Sequence, residues 1–223
     1  MALFIEKKSI IRTQIIGAAA VYKEKLAGKV FLYVSGNHYF EVAFPTDRFL
    51  HLTGVNSCLA AQRFYDKASD STLSMSQFFF DKDHSYRNAK RKSLCLSQLP
   101  SLTDSLVCVL QNLSTASITY KLGVTNLSFT LGLAEHTDLT GRKISDWFLP
   151  RTLRVNDKAI ENSSDAAFVD FIFSKSAVDK KYGNIMYMDN GKSISSEIAS
   201  LLVDNFQDLH KIWSISHGQR MQK

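Results

Sequence analysis

"TASITYKLGVTNLSFTLGLA", residues 115–134, decides the fold class. Hydroxyl-bearing and apolar side chains alternate through both halves of this stretch, with the period of two that a half-buried strand requires. Gly123 and Asn126 lie between the two halves and favour a turn. The stretch therefore predicts two antiparallel strands with one apolar face and one hydroxyl-rich face. The apolar face contains Ala116, Ile118, Tyr120, Leu122, Leu127, Phe129, Leu131 and Leu133.

The segments on either side extend this pair into a longer sheet. "SLVCVLQ" (105–111) is a continuous apolar run, which is typical of a central strand. "SDWFLPRTLRV" (145–155) and "FVDFIFSK" (168–175) follow after polar loops. Five strands in a row with short connections predict an antiparallel meander.

The N-terminal part of the chain is mainly helical. Apolar residues at helical spacing predict a helix over 7–27, and helical patterns return near 59–68 and 86–99. Between them, "KVFLYVSGNHYFEVAF" (29–44) predicts a hairpin, because glycine and asparagine at 36–37 supply the positive φ of a tight turn. With a last helix predicted near 195–213, the fold class is α+β. N-terminal helices and a small hairpin lead into an antiparallel β-meander, and a C-terminal helix follows.

The predicted domain organisation is one core and one appendage. A chain of 223 residues is long enough for one sizeable core. We expect residues 1–176, including the helix at 7–27, to form the α+β domain. Residues 176–195 are polar and contain glycine, so we interpret them as a linker, and 177–223 as linker plus helical appendage.

The charge balance is compatible with a polyanionic partner. The chain has 27 Lys and Arg against 21 Asp and Glu, a net charge of +6. Its three cysteines match no zinc-binding pattern, which suits free thiols in a reducing cytoplasm. No apolar run is long enough for a membrane span, so we expect no membrane association.

Four segments together resemble a known nuclease family. They are "VFLYVSGNHYFEVAFPTDRFLHLTGV" (30–55), "ASITYKLGVTNLSFTLGL" (116–133), "FLPRTLRVNDKAIE" (148–161) and "AFVDFIFSK" (167–175). They resemble the phage-associated branch of the barnase–EndoU–colicin–RelE-like nucleases, its fourth phage family, over roughly residues 20–176. The resemblance implies helices leading into a curved antiparallel sheet, metal-independent ribonuclease chemistry, and an origin in bacterial phages or mobile elements. Members of this superfamily use different active residues.

Metal-free RNA cleavage requires a small set of groups. A base removes the 2′ proton, an acid protonates the departing 5′ oxygen, and cations stabilise the extra charge on the phosphate. The sequence contains no HExxH, no Asp-x-Asp pair and no Cys/His cluster. We therefore expect no metal and no cofactor.

"FPTDRFLHLTGV" (44–55) supplies the first candidates. His51 is the candidate base or acid, because an imidazole titrates near the working pH. Thr53 could orient His51 or donate to a phosphate, and Arg48 could bind substrate. The alternatives are a loop histidine bonded to backbone and a surface arginine.

"PRTLR" (150–154) supplies the second set. In an unbroken strand Arg151 lies among apolar neighbours, and there it needs a substrate phosphate or a protein carboxylate. Thr152 and Arg154 share the opposite face. There Thr152 would donate a hydrogen bond to the phosphate and Arg154 would stabilise its negative charge. Asp170 could pair with either arginine, which is the structural alternative. Pro150 predicts an edge or a bulge, and a bulge would re-aim Arg151.

Four further cations are candidates for substrate binding. Lys121 lies at the end of the hydroxyl-rich face, and Arg87, Lys90 and Arg91 form a basic face on the helix at 86–99. They could attract phosphates, but a solvated outer surface gives the same pattern.

The sequence thus predicts a cytoplasmic, metal-independent endoribonuclease of a phage or mobile element, with RNA as partner. One alternative is a non-catalytic anti-defence inhibitor, or a nucleic-acid-binding accessory protein, that binds a host or phage protein. Another is a transferase that uses the "HLTG" histidine (51–54) to hold a nucleotide. The oligomeric state is not predicted.

Overall fold

A computed structural model of the chain describes residues 2–114, 119–155 and 166–206. Within these ranges lie five α-helices: α1 (Ala2–Lys25), α2 (Phe49–Thr53), α3 (Ala61–Ser69), α4 (Tyr86–Leu96) and α5 (Ser196–Leu201). Short 3₁₀ turns lie at Thr46–Arg48, Met75–Gln77 and Leu99–Leu102. Among the described residues, no helix is long and apolar enough to cross a membrane.

Nine of the described strands form one large sheet. They are β1 (Lys29–Ser35), β2 (His38–Ala43), β5 (Cys108–Ser114), β6 (Thr119–Thr125), β7 (Phe129–Thr137), β8 (Lys143–Val155), β9 (Ala166–Phe168), β10 (Phe171–Ser176) and β11 (Asn184–Met188). Their spatial order is β11-β10-β1-β2-β8-β7-β6-β5-β9, and a separate small pair joins β3 (Asn56–Ser57) to β4 (Phe78–Phe79).

The predicted α+β class is confirmed, and β5 to β8 form four of the five strands of the predicted antiparallel meander. The fifth, expected at 168–175, is β10, which pairs with β1 and β11 and not with β8. The sheet as a whole is mixed, because β2 runs parallel to β8 and pairs with it at Val42 and Phe148. The predicted hairpin is not a separate lead-in element: β1 and β2 lie near the middle of the same sheet. Gly36 makes its tight turn with a φ of +58°.

Two apolar clusters cover the two faces of the sheet. On one face, α1 packs against α3 and α4, and its Ile15 and Tyr22 join Phe31 and Tyr33 of β1 in the larger cluster. On the other face, alternate β1 residues pack with α5; this smaller cluster includes Val30, Leu32, Leu149, Phe173 and Ile198. The alternation along β1 is the period-two pattern of a strand that is buried on both faces.

The segment predicted as a linker (176–195) is not a linker. Residues Asn184–Met188 form β11, which pairs with β10 across a bulge after Ile172. The predicted division after residue 176 therefore cuts between two paired strands. The polar, glycine-containing residues on either side of β11 misled the prediction, because the strand itself is only a short, mainly apolar run, NIMYM. In the described part of the chain the predicted last helix corresponds to α5, which ends at Leu201, and the part beyond residue 206 lies outside the described residues.

Candidate active site

A β-bulge at Arg151 sets the geometry of the site. Leu133 pairs with Pro150, whereas Gly132 pairs with Thr152, so Arg151 is the extra residue in β8. Proline cannot donate to a strand ladder, which explains why the irregularity lies there. Because of this extra residue, the side chains that follow the bulge lie on the opposite faces of the sheet from those that an unbroken strand would give them.

The structure therefore contains the bulge that Pro150 predicts, and the unbroken strand, the other form considered, is excluded. Leu149 packs in the smaller cluster and Leu153 in the larger one, on opposite faces of the sheet. Arg151 is exposed instead of lying among apolar side chains. Because the parallel pairing places Phe148 beside Val42, Arg151 lies beyond the end of β2, where α2 begins.

Helix α2 presents His51 to this edge. Phe49 and Leu52 are fully buried and anchor the short helix, whereas His51 is exposed between them. The helix ends at Gly54, which adopts a left-handed φ of +78°. Helix α2 packs against both β8 and α4, so the helix itself lies at the junction of these elements.

Thr53 does not reach the site. It is fully buried, and its hydroxyl donates to the Leu50 carbonyl at 2.7 Å. The same oxygen accepts from the Val55 N–H at 3.3 Å. The expected role of Thr53 in orienting His51 or binding phosphate is therefore wrong; its hydroxyl closes the end of α2.

The charges around His51 favour a neutral imidazole. Partial desolvation lowers the pKa of His51 below 6.5, and the positive charges of Arg151 and Arg48 lower it further. Asp47 opposes them, and its effect is smaller. The charges of two predicted cations therefore act on His51 in the same direction, and a neutral imidazole near neutral pH can accept a proton.

His84, which the sequence left unassigned, is a second histidine in the same neighbourhood. Its charge also acts on His51, with a smaller effect than that of either arginine. Its Nδ1 lies 3.2 Å from Asp81 Oδ1. Asn56 Nδ2 donates to Asp81 Oδ2 at 2.9 Å and the His84 N–H donates to Oδ1 at 2.7 Å, which holds the Asp81 pKa at about 2. Asp81 thus remains an anion that orients the His84 ring.

Arg48 and Arg151 share a cavity of about 260 Å³, which we call the arginine cavity. Arg48 Nε is buried and has no hydrogen-bond partner among the described residues, and the nearest carboxylate oxygen, of Asp47, is 3.7 Å away. A buried donor without a partner is rare in folded proteins. The other lining residues are Ala134, Glu135, Thr137, Leu149 and Pro150.

A comparison with protein-family models identifies the family. The model described as phage-Barnase-EndoU-ColicinE5/D-RelE like nuclease4 (PBECR4) matches residues 14–191. The chain belongs to the PBECR4 family. The match extends beyond the resemblance at both ends and supports a phage nuclease-like function. No curated protein and no solved structure matches the chain.

Thr152 and Arg154 are placed differently from the other predicted catalytic residues of this PBECR4 chain. Thr152 faces its cross-strand partner Gly132, and a Cβ added to that glycine would lie 2.9 Å from Thr152 Cγ2. Thr152 is not among the described residues that line the arginine cavity. Asp170, the expected arginine partner, accepts from the Gly36 N–H at 2.6 Å and lies 3.5 Å from Lys192 Nζ.

Arg154 belongs to a second cationic group, which includes a lysine that the sequence did not single out. Burial and the charges of Arg154 and Arg91 lower the pKa of Lys92 to about 8. Arg91 also donates to the Val155 carbonyl, which ties α4 to the end of β8. The sequence Lys90-Arg91-Lys92 does not distinguish Lys92 from its neighbours. Only the packing of α4 turns the Lys92 side chain inward, toward Gly54.

The remaining predicted cations lie on the surface. Arg87 and Lys90 are exposed on α4. Lys121 is exposed and its Nζ lies 2.8 Å from Glu135 Oε1, at the rim of the arginine cavity. This ion pair lowers the pKa of Glu135. Residues 115–118 of the hydroxyl-rich face lie outside the described residues. Within the described part of the PBECR4 chain, no group of three or more His, Cys, Asp and Glu residues could hold a metal ion.

Proposed function

We propose that the chain is a metal-independent endoribonuclease of a phage or mobile element, acting in the bacterial cytoplasm. It would cleave RNA by attack of a 2′-hydroxyl on the neighbouring phosphate. The observation that carries this proposal is the pair Arg48 and Arg151, which line one cavity and whose charges both lower the pKa of His51. Membership of the PBECR4 family supports the nuclease class.

The roles follow from the charge state of each group. Neutral His51 accepts the 2′ proton while the 2′ oxygen forms its bond to phosphorus. Arg48 and Arg151 stabilise the additional negative charge on the phosphate as two fixed cations. The bond to the 5′ oxygen then breaks, and His84, oriented by Asp81, supplies the proton to that leaving oxygen. The products are a 2′,3′-cyclic phosphate and a free 5′-hydroxyl.

The second cationic group supports binding of a longer RNA strand. Lys92, Arg91 and Arg154 lie where α4 meets the end of β8, and Arg87 and Lys90 continue the charge along the exposed side of α4. In this role Arg154 binds a flanking phosphate and does not act at the reacting one. Such contacts predict a strong salt dependence of RNA binding.

The test is cleavage of total RNA by purified protein in EDTA, with analysis of the product ends. We expect 2′,3′-cyclic phosphate ends, and a loss of rate of about 10²- to 10⁴-fold in His51→Ala, as expected for loss of an acid–base group. Arg151→Ala should also reduce the rate strongly. His38→Ala is the matched control, because His38 is an exposed histidine at the β1–β2 turn.

The result that would refute this function is undiminished cleavage in both His51→Ala and Arg151→Ala, with thermal unfolding showing that each variant is folded. Cleavage that EDTA abolishes would refute metal independence. The exposed basic side of α4 also fits a binding-only protein, which is the second candidate. That candidate predicts stable RNA binding with no products.

A further inference from the structure

A second cavity of about 240 Å³ adjoins the arginine cavity. We call it the tryptophan cavity. Its wall includes an indole, a phenyl ring and a proline, with an imidazole, a carboxylate and a guanidinium among them. These six lining residues are Phe44, Pro45, Asp47, Arg48, His136 and Trp147.

The two cavities are contiguous. Arg48 and Leu149 line both of them, so the Arg48 guanidinium stands at their boundary. The Arg48 side chain is partly exposed, and Asp47 Oδ1 lies 3.7 Å from its Nε. A guanidinium between two cavities is a suitable donor for a phosphate placed at their junction.

The chemistry of the tryptophan cavity suits a flat, partly polar ring. The half-buried Trp147 side chain offers an aromatic face for stacking. Polar groups lie beside this apolar surface, since Asp47 can accept and His136 can donate or accept through Nε2. His136 Nδ1 lies 2.9 Å from Ser145 Oγ, which fixes the orientation of the ring.

We propose that the tryptophan cavity binds the nucleobase of the nucleotide whose phosphate is held by Arg48 and Arg151. This rests on the proposed function, because it assigns a base subsite to the same substrate. Arg48 lines both cavities, so its guanidinium would bind the phosphate of the same nucleotide whose base stacks in the tryptophan cavity. An aromatic platform next to a cation is the arrangement that binds single-stranded nucleic acid with little sequence preference.

The test is direct binding of mononucleotides, which does not depend on cleavage. The chain has two tryptophans, so Trp213→Phe leaves Trp147 as the single fluorophore, and His51→Ala removes turnover. In this double variant we expect adenosine 5′- and 3′-monophosphate to quench the fluorescence of Trp147 to saturation. Ribose 5-phosphate, which lacks the base, should bind about tenfold or more weakly, as expected for the loss of one base–aromatic stack.

Two substitutions separate stacking from a packing role. Binding measured by calorimetry should weaken about tenfold in Trp147→Leu and be largely retained in Trp147→Phe, which keeps an aromatic face. Equal binding of ribose 5-phosphate and adenosine monophosphate would overturn the inference. So would unchanged nucleotide binding in Trp147→Leu.

These outcomes are independent of the cleavage assay. RNA cleavage together with base-independent binding would retain the nuclease and remove the base subsite. Base-dependent quenching without any cleavage of RNA by the unsubstituted protein would retain the subsite and remove the catalytic function.

Discussion

Replacing Lys92 with methionine should stabilise the protein near neutral pH. The Lys92 ammonium lies in a partly buried position, where burial is the largest cause of its lowered pKa and Arg154 and Arg91 add to it. Methionine keeps an unbranched apolar stem of similar length, and this stem packs beside Gly54 at the end of α2. The substitution therefore removes an unfavourable charge and leaves most of the packing in place.

The magnitude follows from the pKa of Lys92. Lowering it from the ordinary value of 10.5 to about 8 corresponds to about 3 kcal/mol against the charged form in the folded state. Below pH 8 the lysine is protonated in both states, so this destabilisation is fully present. Between about pH 8 and 10.5 the unfolded chain keeps the proton and the folded protein has lost it. The free energy of unfolding of the unsubstituted protein therefore rises with pH across this window.

The assay is urea unfolding of both proteins from neutral to alkaline pH. We expect Lys92→Met to be more stable by about 1 to 3 kcal/mol near neutrality, with the difference shrinking as the pH rises above about 8. Lys90→Met is the control; Lys90 is exposed on the same helix, and its replacement should change the free energy of unfolding by less than about 0.5 kcal/mol. A destabilised Lys92→Met variant, or a difference that is constant with pH, would refute the reasoning.

Two further predictions concern His51 and the end of α2. Arg151→Met should raise the pKa of His51 toward 6.5, because it removes a positive charge that lowers this pKa. Histidine NMR titration measures the pKa, and an unchanged value would show that Arg151 does not interact with His51. Gly54→Ala should cost more than Gly28→Ala in urea unfolding. Both glycines have a positive φ, which costs about 1–2 kcal/mol for alanine. At Gly54, however, the new Cβ would also lie 2.8 Å from a side-chain carbon and 3.2 Å from a backbone carbon, whereas nothing lies within 4 Å at Gly28. Equal costs would contradict the close contact at Gly54.

Much of the fold could be predicted because strand alternation is a local property. The strand pair β6–β7, the Gly36 turn and helix α1 follow from patterns in neighbouring residues, and the structure confirms them. Two details were wrong: Gly123 lies within β6 opposite Gly132, and Leu127 is 73% exposed between the two strands and not on the apolar face. The parallel pairing of β2 with β8 was missed, since β2 and β8 are separated by three helices and no local pattern specifies their partner. The short strand β11 was missed because its five residues, NIMYM, lie between polar, glycine-containing segments.

The candidate site was only partly predictable for the same reason. The sequence pointed to His51, Arg48 and Arg151 individually; the charges of both arginines lower the pKa of His51, and their roles in catalysis stay predictions. It gave no signal for His84 or Lys92, because their positions depend on contacts made across the chain.

By itself, the sequence determined the α+β class, the strands of the meander and a proline that marks an irregularity in β8. The tertiary structure decided where that irregularity directs Arg151, since the register of β7 against β8 makes Arg151 the unpaired residue. A shift of one residue exchanges the two faces of a strand, so a side chain can be assigned to the core or to a site only after its strand has found its partner.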